Sequence, residues 1–233
     1  MAIQRRTVAG LALRWREFRA IRSDGLRAEG EPIAFGLWAV ADPDALVERG
    51  ATEHRDDGMP YFGLIWPAAE ALVAKVLTGR RLDGLRALDL GCGLGACGFA
   101  AARLGARVTF FDREPRALAA VRATAREPEW QTALLSYVVG DWARPPLLGR
   151  FDLIVGADVL YDRGNGPAVA AFLARHLEPG AEAWIADPGR ATAEQFPTQA
   201  GAAGLEVVGT ARLPTPAQQP DVRLLRLRQP GPP

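Results

Sequence analysis

Asp89-Leu90-Gly91-Cys92-Gly93-Leu94-Gly95 joins a strand-like run, residues 86–90, to an alanine-rich segment with helical character. Glycines at 91 and 93 let a backbone turn sharply and approach a ligand with no β-carbon in the way. Asp112 ends the next strand-like run, about 20 residues further on, where a carboxylate can accept hydrogen bonds from both ribose hydroxyls of a nucleoside. Asp141-Trp142 ends the third run. An acid there can accept from an adenine amino group, and the indole can cover the base. Asp89, directly before the glycines, would repel a pyrophosphate but suits the cationic end of a nucleoside that carries an amino acid.

Two cofactor classes fit the glycine loop. GCGLGA satisfies the G-x-G-x-x-G/A pattern of dinucleotide-binding proteins, which leaves an NAD(P)-dependent oxidoreductase open. A dinucleotide has no special use for Asp89 or Asp141. S-adenosylmethionine, with its sulfonium, ammonium, carboxylate, ribose and adenine groups, uses all of these partners. The structural alternatives are a strand–helix turn without a ligand, a helix cap for Asp141 and core packing for Trp142.

These residues act together only if strands and helices bring them to one edge. Residues 86–90, 106–112, 136–141, 151–161 and 181–187 read as strands, and 205–213 and 221–228 close the chain as two more. Helices begin at Pro67, Pro115 and Pro167, where a fixed φ and a missing N–H cost nothing. Ala69, Leu72, Val73, Val76 and Leu77 form one apolar face of the first, which Gly79 ends. Strands alternating with helices predict an α/β fold, a Rossmann-like, open, mostly parallel seven-stranded sheet with helices on both faces. The division expected is an N-terminal extension with edge strands over 1–57, a main cofactor-binding domain over 58–229 and a flexible tail over 230–233. Residues 32–40 read as a strand of that extension, followed by an acidic loop through Asp57 and Gly58.

Composition narrows the function classes. The chain has 233 residues, 28 basic against 27 acidic, and a formal net charge of +1. Such a balance argues against partners held by bulk charge, so neither nucleic acid nor a membrane surface is expected. Lys75 is the single lysine, and it reads as solvated on the polar face of its helix. Cys92 and Cys97 cannot form a disulfide scaffold and suit a reducing compartment, hence a cytoplasmic placement. The Arg-rich start resembles a transit peptide in composition, but reads as an arm leading into edge strands. His54 and His176 are too few for a multi-histidine metal site, so no metal is expected.

DLGCGLGACGFAAARLGARVTFFD resembles the first two motifs of the seven-β-strand, class I S-adenosylmethionine-dependent methyltransferases. WPAAEALV, GDW and GADVLY are similar to the family 16 branch, which holds protein-lysine methyltransferases and predicted nicotinamide N-methyltransferases. ADPGR (186–190) resembles the electron-transfer-flavoprotein β-subunit lysine methyltransferase group. The resemblance covers about residues 60–190, and Asp89 stands where that branch commonly has Glu. It implies S-adenosyl-L-methionine as cofactor, held by Trp66, Gly91, Cys92, Gly93, Asp112, Trp142 and Ala157. Asp158-Val-Leu-Tyr161 matches the D-x-x-Y element near the transferred methyl, which makes Asp158 and Tyr161 the candidate catalytic pair. Asp158 would accept a hydrogen bond from an incoming nitrogen, with a turn-capping aspartate as its structural alternative. The expected acceptor is a protein lysine or a small amine and the expected state a monomer. A non-catalytic cofactor-binding module is the remaining alternative.

Overall fold

The computed structural model describes residues 4–19, 34–53, 60–77, 81–215 and 221–231. Three strands come first: β1 (Arg5–Val8), β2 (Leu11–Arg19) and β3 (Ala34–Val40). Helices α1 (Pro43–Glu53) and α2 (Pro67–Leu77) follow. Then strands and helices alternate as β4 (Arg86–Leu90), α3 (Ala96–Arg103), β5 (Arg107–Asp112), α4 (Pro115–Ala125) and β6 (Leu135–Val139). The chain continues through β7 (Phe151–Ala157), α5 (Asn165–His176), β8 (Leu177–Asp187), α6 (Phe196–Ala202), β9 (Glu206–Leu213) and β10 (Val222–Arg228).

The main sheet has seven strands in the order β6-β5-β4-β7-β8-β10-β9. Strands β4 to β8 pair in parallel, and β10 enters antiparallel between β8 and β9. This is the expected mostly parallel sheet. The antiparallel insertion sets it apart from the 3-2-1-4-5-6 order of dinucleotide-binding sheets. Strand alternation sends successive side chains to opposite faces. Ala87 and Phe110 join the core with α2, α3 and α4, while Leu88, Leu90 and Phe111 join the core with α5 and α6. Asp89 lies between Leu88 and Leu90, so it must face α3. That phase decides its surroundings.

Two expectations differ from the structure. The acidic stretch after β3 was expected as a loop, yet Pro43–Glu53 is helical. Asp42 supplies the reason: its Oδ1 accepts from the Ala45 N–H at 3.0 Å, and Pro43 sits in the first turn. Together they outweigh the low apolar content that suggested a loop. The N-terminal strands are not edges of the main sheet either. They form their own antiparallel sheet, β1-β2-β3, which packs on α3 and α4. The expected boundary at 57/58 and the Gly79 helix stop lie outside the described residues.

Trp130 ties the two sheets together. Its indole N–H donates to Gly36 O at 3.3 Å, and its ring lies 5.9 Å from Phe35 and 4.7 Å from Phe99. Beside it, Thr124 Oγ1 accepts from Trp38 N at 2.9 Å, and Glu127 accepts from the Trp38 indole at 2.8 Å. Trp130→Ala removes a buried ring that two layers share, at a cost of about 3–5 kcal/mol. A thermal melt should show a correspondingly lower Tm, with proteolytic cuts appearing first in β1–β3. A Tm within a degree of wild type would contradict this packing.

Candidate active site

Chain direction reverses around β4, since β5 follows on one side and β7 on the other. A crevice beyond the carboxyl ends of strands opens at such a switch point. A cavity of ≈ 670 Å³ lies there, within the range of small-molecule and cofactor sites. Its walls come from the loops after β4, β5 and β7, the segment leading into α2, and Arg190 beyond β8.

The glycine loop forms the floor. Gly91, Gly93 and Gly95 have φ of 63°, 51° and 83°, left-handed values that a β-carbon penalises. A β-carbon on Gly91 would also meet Val159 at 3.0 Å and Trp142 at 3.1 Å. Asp112 braces this loop: its carboxylate accepts from Gly93 N at 2.8 Å and from Glu114 N at 2.9 Å. Asp89 accepts from Gly98 N in α3 at 2.7 Å. Burial pushes Asp89 well above the usual carboxylate range, against the Gly98 bond that favours its ionised form. Burial raises Asp112 as well, opposed by the Glu114 and Gly93 bonds. Acids this sheltered gain from a cation placed in the cavity.

The far end is built around Asp158. Its φ is 57°, in the left-handed region, which costs a non-glycine residue and is tolerated best by Asp and Asn. Two contacts hold it there. Its N–H donates to Ala186 O at 2.8 Å. Arg190 grips the carboxylate as a fork, Nε to Oδ1 at 2.6 Å and Nη2 to Oδ2 at 2.8 Å. Arg190 is itself set by Asp187, whose Oδ1 accepts from the N–H groups of Gly189 and Arg190 at 2.8 and 2.9 Å. The guanidinium carbon lies 5.7 Å over the Trp66 ring. Tyr61 stands 5.9 Å from Trp66 and 6.5 Å from Tyr161, and Trp142 lies 6.5 Å from Tyr161. These aromatic rings line the same cavity as the ion pair.

Of the residues singled out by sequence, Trp66, Asp89, Gly91, Cys92, Gly93, Asp112, Trp142, Ala157, Asp158 and Tyr161 all line this cavity. Asp141 does not line it. It is exposed past the end of β6, and its Oδ1 accepts from Ala143 N at 2.8 Å, a turn cap. That turn holds one oxygen of the carboxylate, on a residue outside the cavity lining. The Cys92 thiol is buried and pushed well upward by burial, so it shapes the wall and is not a nucleophile. His176 is buried at the end of α5, with Nδ1 3.3 Å from Gly149 O. His54 lies outside the described residues. Among the described residues, no cluster of three or more His, Cys, Asp or Glu is placed to hold a metal, and no helix is long and apolar enough to cross a membrane.

Sequence reasoning missed Arg190 as a site residue. The ADPGR string had been noticed, but the pairing joins loops 32 positions apart in the chain. Tyr61 and Glu114 at the rim also carried no local signal.

Residues 87–180 match the sequence profile of a methyltransferase domain. Over those residues the chain carries a methyltransferase domain. Protein N-lysine methyltransferase METTL21A of Danio rerio is 37% identical over 123 residues, covering 50% of this chain and 56% of the relative. Electron transfer flavoprotein beta subunit lysine methyltransferase of Xenopus laevis is 33% identical over 147 residues, covering 60% and 57%. The chain thus spans little more than half the length of these curated relatives. Among solved structures, N-methyltransferase NodS from Bradyrhizobium japonicum WM9, in complex with S-adenosyl-L-homocysteine, superposes with a TM-score of 0.59. The two sequences are 24% identical, and the match covers 80% of this chain and 100% of that one. At that identity the likeness speaks for the fold.

The methyltransferase domain places two acids with raised pKa values in its floor, and their titration has a sign. Asp89 has a folded-state pKa above its unfolded value, so its contribution to stability is full below about pH 4 and is lost as pH rises through the folded pKa. Asp89→Asn still accepts the Gly98 N–H but cannot ionise. The ligand-free variant should melt at least about 2–4 °C higher than wild type at pH 7–8, equivalent to about 1 kcal/mol. The gain should vanish near pH 4. A lower Tm at pH 8 would show that the ionised form of Asp89 stabilises the fold.

Proposed function

We propose that this protein is an S-adenosylmethionine-dependent methyltransferase acting on a nitrogen nucleophile, with a protein lysine as acceptor. The observation that carries the acceptor reading is Asp158, held in a left-handed conformation at the end of β7 and set into the wall of the same cavity as the glycine loop and Asp112. Strain at such a position persists where the surroundings over-determine it, and it concentrates at functional sites. The relatives that are lysine methyltransferases support lysine among possible nitrogen acceptors.

S-adenosylmethionine, when bound, supplies an electrophilic methyl group whose bond to sulfur breaks as the acceptor's lone pair closes on it. The residues of the chain do the rest by binding and orientation. The glycine loop lets its backbone approach the ligand without β-carbons in the way, and Asp112 offers its remaining lone pairs to ribose hydroxyls. Asp89 balances the cationic end of the cofactor through the cavity floor. Trp142, beside Gly91, would cover the base. Asp158 keeps a free lone pair on each oxygen beyond the Arg190 fork, enough to accept an N–H and aim the nitrogen along the line opposite the leaving bond. Alignment of this kind is the main catalytic task in a displacement driven by its leaving group. Tyr161 and Trp66 narrow the opening. Burial holds the Tyr161 phenol above its ordinary range, so it remains neutral there.

We assign residues 58–229 to the methyltransferase domain and 1–57 to an extension that contributes to substrate choice. With Cys92 and Cys97 both buried and reduced, a cytoplasmic location fits the chemistry.

The test uses methyl-labelled cofactor, a cell lysate as acceptor and acid hydrolysis of the protein fraction. Label should appear in methylated lysine. Asp158→Asn should lower turnover about a hundredfold or more while cofactor affinity stays within about twofold. Label recovered only as methanol from carboxyl esters or only in methyl ethers of hydroxyl groups, or undiminished turnover in the variant, would contradict the assignment.

A further inference from the structure

We propose that Arg190 is the residue that restricts the acceptor site to an uncharged amine and rejects the ammonium form. This rests on the nitrogen-acceptor reading above. Arg190 and Asp158 form one bidentate ion pair, but the two partners are not equally exposed. The guanidinium keeps 34% of its side-chain surface, the carboxylate 3%. The charge presented to an arriving group is therefore the positive one, although a carboxylate lies behind it. A cationic ammonium meets the guanidinium first and gains no ion pair from Asp158, whose charge is already matched. A neutral amine pays no such repulsion. It can still donate one N–H to a lone pair of Asp158 that the fork leaves free, and its own lone pair then remains available for attack.

The surrounding charges are consistent with that role. Asp187 fixes the Arg190 backbone, and its Oδ2 is buried without a hydrogen-bond partner, facing the field of Arg223 on the paired strand β10. Tyr61 approaches Arg190 from the segment before α2. From the loop after β5, Asp112 and Arg113 act on Tyr161, and Asp162 does so from the loop after β7. Glu114 and Arg116 form their own ion pair at the rim. None of these groups replaces Arg190 against Asp158. The same positive face would favour release of a methylated, cationic product. Among the described residues that line the site, Glu114 is paired with Arg116 and Asp112 with backbone N–H groups, and exclusion of the cation leaves the ammonium proton with solvent before the amine binds.

The experiment uses n-butylamine, a lysine side-chain mimic, titrated calorimetrically into the full-length protein saturated with S-adenosylhomocysteine. Two buffers of different ionisation enthalpy report the protons released. Between about pH 8 and pH 9.5, wild type should bind about tenfold more tightly per pH unit and release about one proton, because only the neutral amine binds. Arg190→Gln should bind butylamine with affinity independent of pH over that range and release no proton, as Asp158 then takes the cation. Arg190→Lys keeps the charge without the fork and should retain the pH slope, which guards against a loss of fold in the glutamine variant. Unaltered affinity for S-adenosylhomocysteine in both variants checks the cofactor end. Equal pH slopes in wild type and Arg190→Gln would overturn the inference. If no protein binds butylamine at any pH, the amine-acceptor reading itself fails, and this inference with it.

Discussion

Ionised carboxylates in a sheltered cavity are costly unless each has a partner, and the site is organised around that constraint. Asp89 and Asp112 are partnered by backbone N–H groups, from Gly98 in one case and from Gly93 and Glu114 in the other. Those bonds do not offset burial, which leaves both acids raised above their ordinary range. Asp158 is treated differently. It has a guanidinium on both oxygens and a backbone bond holding its left-handed conformation. The cavity therefore has two ends of unlike character: a floor of under-compensated acids suited to a cationic nucleoside, and an acceptor end whose acid is already neutralised.

The fold makes this separation possible. The glycine loop and Asp112 come from β4 and β5, and Asp158 comes from the end of β7 on the other side of the switch point. Strand alternation settles which acids are buried where. Asp89 faces α3 because Leu88 and Leu90 face α5, so one change of register would place the charge under the wrong helix. The ion pair between Asp158 and Arg190 joins the loops after β7 and β8, neighbouring strands in the sheet. Trp66 lies beneath the guanidinium, so its ring stands at the same end of the cavity as the ion pair.

Much of this was legible in the sequence because it is local. The glycine loop, Asp112 at the end of a strand, Pro67 and Pro115 at helix starts and the alternating strand pattern each depend on residues close together in the chain. What was missed depends on distance or on competition. The Asp158–Arg190 pair joins separated loops, and a chain rich in arginine gives no sign of which one matters. Asp141 is expected beside a ligand base, and the structure places it in a turn outside the cavity lining, with Oδ1 on the Ala143 N–H. The acidic stretch after Val40 looked like a loop because its apolar content is low, while the Asp42 cap and Pro43 favoured a helix. The N-terminal strands are expected as edge strands, but their separate sheet is docked on α3 and α4 by contacts far apart in the chain, such as Trp130 with Phe35 and Gly36.

A direct titration of the wild-type protein with S-adenosylmethionine and, separately, with NAD and NADP tests the central claim most simply. One cavity with acids beneath a glycine loop should bind S-adenosylmethionine at one site per chain with micromolar affinity, about −8 kcal/mol, and should bind neither dinucleotide measurably. Asp112→Ala should weaken that binding about tenfold or more, equivalent to the loss of a charge-assisted hydrogen bond. Binding of a dinucleotide in preference to S-adenosylmethionine, or affinity for S-adenosylmethionine unaffected by Asp112→Ala, would contradict the assignment of this cavity.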